Sequence, residues 1–229
     1  MTTQSAPAVV LDPGVHAPGD GVWFALPPGF TTLPLGALLP APGSPEAQAL
    51  QETVAPLLAS APDEVTRQAF GAKLATTLRM LHSLRGEGVV HCSLGLHRDD
   101  TGGGDSGPLL SFFTIAWVDT SWAPRGVTAA RAVTEAEGHT HLEYAELPCG
   151  PATFSRIVRT PTPESGLPRQ PLLQLHAHLP HPDGTSLALL TLSTTATERY
   201  EEYQAILRQI AELVGFDEPF ATDGEERSR

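Results

Sequence analysis

Apolar positions change their spacing three times along this chain, and the changes divide it into elements. The clearest pattern is the last. Leu187 to Ser193 reads as a strand, and a Thr/Ser-rich turn then leads into a helix from about Thr197 to Val214. In that helix Tyr203, Ile206, Leu207, Ile210, Leu213 and Val214 recur at i, i+3, i+4 and i+7, a stripe that must lie on a sheet or a core.

Nearer the start, Val22-Trp-Phe-Ala-Leu26 reads as a short strand, and Pro27-Pro28-Gly29 turns it towards an apolar stretch from Phe30, giving an N-terminal hairpin. Ser44-Pro45-Glu46 is a helix-start signal, with Ser as N-cap, Pro in the first turn and an acid near the positive end of the dipole. Ala47, Leu50, Val54 and Leu57 form the buried stripe of that helix, and Pro56 should kink or end it. A second helix is expected from about Pro62 to Leu84, with Phe70, Leu74, Leu78 and Leu81 on one face.

The period then falls to two. Val90, Cys92, Leu94 and Leu96 alternate with His91, Ser93, Gly95 and His97, as in a half-buried strand. Pro108 to Asp119, Leu142 to Leu147, Ala152 to Arg159, Leu172 to Leu179 and Leu187 to Ser193 supply five more strands. The spacings are short, with no helices between the strands, so antiparallel pairing is expected. Val127 to Ala136 fits either a short helix or an irregular segment. The expected architecture is α+β: an antiparallel sheet of about six strands, preceded by the hairpin and two helices and closed by the C-terminal helix. Residues 1–20 read as a flexible arm, 21–216 as one domain and 217–229 as a polar tail.

Length and composition agree, since 229 residues suffice for one core and 41% hydrophobic residues suit a soluble protein. A net charge of −12, with no basic cluster, argues against nucleic acid and anionic membrane surfaces as partners. No apolar run reaches the length of a membrane helix, and the N-terminus carries no signal-peptide pattern, so the expected location is cytoplasmic. Cys92 and Cys149 are expected as reduced thiols, Cys92 buried and inert.

Candidate chemistry is sparse. Gly104-Asp-Ser-Gly-Pro108 and His91-Cys92 echo the motifs of trypsin-like serine proteases. One glycine of the pattern is missing, however, and His91 lies far too close in sequence to Ser106 for that family's geometry. Walker, dinucleotide-binding and zinc-protease motifs are absent from the sequence. Seven of the nine histidines fall in groups, His91/His97, His139/His141 and His176/His178 with His181 nearby. Because i and i+2 share a strand face, His91, His97, His176 and His178 are a candidate metal set on an exposed sheet face, with Leu173, Leu175, Ala177 and Leu179 turned to the core. Trp122, in the segment Ser121-Trp-Ala-Pro124, is a candidate partner contact.

Three segments carry a family resemblance: Phe24-Ala-Leu-Pro-Pro-Gly-Phe30, Glu146-Leu-Pro-Cys-Gly-Pro-Ala152, and Leu189-Leu-Thr-Leu-Ser-Thr194 with the helix after it. Together they resemble the PsbP/LpqN-like α/β/α sandwich proteins common in actinobacteria, and the single lysine, Lys73, fits a GC-rich genome. No signal-peptide or lipobox pattern like that of the lipoprotein members is read in the sequence, so neither secretion nor surface anchoring is expected. The resemblance implies a non-enzymatic interaction or assembly module that binds another protein; joined to the expected location, the reading is a module of a bacterial cytoplasm with no cofactor. A metal- or small-ligand-binding protein using the histidine face is the alternative.

Overall fold

In a computed structural model, residues 21–35, 40–61, 63–84, 88–97, 109–134, 138–160, 162 and 169–217 are described. The expected arm, the glycine-rich segment 99–107 with its protease-like motif, the Leu81 side chain and nearly all of the polar tail lie outside them. The fold is α+β. A seven-stranded antiparallel sheet runs β1 (Phe30–Thr32), β2 (Val89–His97), β3 (Leu109–Asp119), β7 (Ser186–Thr194), β6 (Leu172–Pro180), β5 (Gly150–Arg159), β4 (Thr140–Leu147). Six of these strands are those of the two-residue alternation, and the seventh is the short β1.

The opening segment does not form a local hairpin. Trp23 exchanges two backbone hydrogen bonds of 2.8 Å with Gly215, while β1 pairs with β2. The burial of Val22 and Phe24 explains this: both sink into the core beneath the sheet, which an exposed hairpin would not allow.

α4 (Tyr200–Glu212), entered through a 3₁₀ turn at Thr197–Arg199, covers one face. Its Tyr203, Leu207, Ile210 and Ala211 pack on Phe113, Ile115, Leu175 and Leu190. The predicted stripe holds through Val214 except at Leu213, which is half exposed while Ala211 is buried instead. Arg208 lies over the Phe154 ring and meets Glu143 at 2.5 Å, tying the helix to the outer strands.

The opposite face carries α1 (Pro45–Ala59) and α2 (Glu64–Leu84) over β1–β3, and α3 (Arg125–Thr134) over β5 and β6. Ser44 caps α1 by accepting from the Ala47 N–H at 3.2 Å. Pro56 stands inside α1, and the helix ends one turn later at Ala59, where the Ser60 N–H bonds the Pro56 carbonyl. Val54 with Phe70, Leu74 and Leu78 of α2 closes a second core on Cys92, Leu94 and Phe112. Both sheet faces are therefore covered.

Candidate functional site

α3 does not lie flush on the sheet. Between it and β3, β7 and β6 is a cavity of about 440 Å³, floored by Leu187, Leu189, His176 and His178. Strand parity decides which side chains reach it. On β6, Leu173, Leu175, Ala177 and Leu179 point to the α4 core, as the sequence reading expects. His176 and His178 must then point the other way, beneath α3.

The registers add neighbours to each. His176 lies opposite Thr191 of β7 and Ser155 of β5. Its Nδ1 shares a 3.0 Å hydrogen bond with Thr191 Oγ1. Ser155 Oγ lies 2.7 Å from His139 Nδ1 and 3.3 Å from His178 Nε2, so one buried hydroxyl joins two rings. The ring centres of His139 and His176 are 4.9 Å apart, and His178 lies 6.1 and 6.0 Å from them.

His139 reaches this face because β4 is irregular. Thr140 pairs with Arg156 and Glu143 with Phe154, so one extra residue stands on β4 between them. His141, at φ 52°, sits in that bulge and turns its ring to the Arg156 guanidinium, 2.6 Å away. His139, before the bulge, keeps the parity that sends it inward.

The roof is held by Arg125 in the first turn of α3. Its Nε donates to the Pro180 carbonyl at 2.9 Å, and its Nη2 to the carbonyls of Cys149 and Pro180 at 2.5 and 2.7 Å. These bonds fasten the helix start to the β4–β5 turn and the end of β6. Thr128, Ala129 and Val133 form the buried side of α3. Thr128 is 3% exposed and lines the cavity, and its hydroxyl has no partner among the described residues. The same is true of the buried Thr120 hydroxyl across the opening. A buried hydroxyl without a partner carries a desolvation cost that a bound group can relieve.

Burial and mutual repulsion keep the imidazoles neutral. Burial drives His176 down to about 3, with His178, His139 and Arg159 adding repulsion. His178 falls to about 4 through burial and the nearness of His139. His139 is lowered in the same direction by burial and then by Arg159. The cluster is a set of uncharged nitrogen donors and acceptors, with Arg131 and Asp119 at its opening.

The four histidines expected to act together do not meet. His176 and His178 face α3, whereas His91 and His97 lie on the α4 side. His91 is 3% exposed, packs edge-on to Phe24 at 4.7 Å and bonds Ser93 Oγ at 2.5 Å. His97 packs on Tyr203 of α4 at 5.6 Å and bonds Ser111 Oγ at 2.9 Å. The parity of β2 is the cause: Cys92 and Leu94 face the α1–α2 core, which sends the odd-numbered positions to the other side. Nor is the histidine face exposed, since α3 buries His176 and His178. The sequence reading pairs His139 with His141 and so misses the third member of the cluster. The signal was present in Ser155 and Thr191, polar residues at inward positions of strands buried on both sides.

Trp122 is 73% exposed, beside the cavity-lining Thr120 and Ser121, with its indole edge resting near Gly184. Cys92 and Cys149 are both free thiols, and burial pushes Cys92 up to about 12. No helix among the described residues is long and apolar enough to cross a membrane. The chain matches no protein-family model, and no curated protein matches it.

Proposed function

We propose that this chain is a non-enzymatic binding protein whose ligand site is the cavity between α3 and the sheet. One observation carries the reading. Three neutral imidazoles from two chain segments meet at the floor of a roughly 440 Å³ opening, with the unpartnered Thr128 hydroxyl in its roof. Cavities of this size, mostly apolar with a few convergent polar groups, suit small molecules or ions. Hydrogen–deuterium exchange during a thermal-shift ligand screen tests it. A true ligand raises the melting temperature and slows exchange in α3 and β6. Ligands that stabilise the protein while protecting only the α1–α2 half would refute the assignment.

A second reading is docking of a protein partner, the class that the PsbP/LpqN-like resemblance implies. Trp122 supports it, because a tryptophan 73% exposed in a loop is a costly residue to leave in water. Replacing it tests the idea: Trp122→Ala should lose a stoichiometric partner purified with the wild-type chain, with melting unchanged. A partner retained in full by the variant would exclude Trp122 as the contact.

A further inference from the structure

We propose that His139, His176 and His178 form a site for a divalent transition-metal ion at the floor of the α3 cavity, with one coordination position open to the cavity. This deepens the reading of the cavity as the ligand site and rests on it.

Imidazole suits zinc, copper, nickel and iron, and catalytic or ligand-exchanging zinc sites often use three protein ligands with the fourth position left open. A tetrahedral ion about 2.0–2.1 Å from each nitrogen sets ring centres roughly 5 Å apart. The His139–His176 pair, at 4.9 Å, already matches.

Each ring also has one nitrogen engaged by a hydroxyl, Ser155 for His139 and His178 and Thr191 for His176. This is the arrangement by which outer hydrogen bonds fix the tautomer and leave the second nitrogen for a metal. His139 and His176 then offer Nε2, and His178 offers Nδ1.

Among the described residues no group of three such side chains is already placed to hold a metal ion, so the site requires one ring to shift. His178 is the ring that must move: it is the farthest of the three, and its hydrogen bond to Ser155, at 3.3 Å, is the longest. Its inward shift closes the triangle. Thr128 lines the same cavity, and its hydroxyl, unpartnered among the described residues, can bond a metal-bound water or anion. Arg131 and Arg159 oppose a cation here, whereas Asp119 at the opening and the net charge of −12 favour one.

The test uses the full-length chain without a histidine tag, stripped by chelator. Zinc binding is followed by calorimetry, and cobalt(II) binding by its visible absorption. The expected result is one equivalent of either ion, with intense cobalt bands of a four-coordinate site. His139→Ala and His178→Gln should each weaken binding at least about tenfold, and Ser155→Ala should weaken it about tenfold through loss of ring orientation. His97→Ala, on the opposite face of the sheet, should bind as the wild type does. Circular dichroism confirms that each variant is folded, and binding unchanged in a folded His139→Ala or His178→Gln overturns the proposal. Absence of saturable binding of both ions overturns it as well. If a small molecule from the screen still protects α3 in that case, only the metal is wrong; if nothing protects α3, the cavity reading falls too.

Discussion

Gly150 and Arg125 compete for the same space. Gly150 stands at φ +122°, and a Cβ there would overlap the Arg125 guanidinium. A side chain at 150 is strained by the backbone and also displaces the cation that holds α3 over the cavity. Gly150→Ala should cost about 2–3 kcal/mol in urea unfolding. Arg125→Lys should fail to restore the roof, because a single ammonium cannot replace the forked donation to Pro180 and Cys149. The imidazoles give a second consequence at this scale, for the metal-free protein. Their folded values, about 3 for His176 and about 4 for His178, lie below the 6.5 of a free imidazole, so the unfolded chain takes protons first. Stability is full above about pH 6.5 and falls as the pH drops towards 4, by up to about 1.4 kcal/mol per pH unit for each ring. Melting temperatures measured from pH 7.5 to 4.5 should show the decline, and His178→Gln should flatten it.

The elements themselves were largely written in the spacing of apolar residues. Ser44-Pro45 marks the start of α1, and removing its hydroxyl in Ser44→Ala should cost about 1 kcal/mol, read from the unfolding midpoint. The α4 stripe is equally plain, and Leu207→Ala, at 1% exposure in the main core, should cost about 2–5 kcal/mol. Less legible was anything decided between elements. The strand at Val22 looks local because Pro27-Pro28-Gly29 follows it, yet its partner is Gly215, which no pattern near Val22 reveals. The histidine site shows the same limit. His-x-His on β6 was visible, but which face it meets depends on strand parity, and a shift of one residue sends every side chain to the opposite side. His91 and His176 look alike in sequence and end on opposite faces of the sheet. His139 reaches its place through a bulge at His141, a non-glycine residue in the left-handed region that nothing in the local sequence announces.

At the scale of the molecule, two cores share one sheet. The α4 side is continuous from Phe24 to Val214, whereas the other side divides into the α1–α2 cluster and the cavity that lies between α3 and the sheet. With one face filled and the other keeping a cavity under α3, recognition chemistry concentrates under that helix, and Trp122 stands beside the cavity-lining Ser121. The pairing of Trp23 with Gly215 joins the two ends of the described domain. Its two reciprocal bonds set the first and last described segments shoulder to shoulder, so the path from residue 21 to residue 217 closes almost into a ring. A short linker across that seam, with new ends cut in the exposed turn at Pro182–Asp183, would reorder the sequence without disturbing a strand, and the domain could equally be seated inside a loop of another protein.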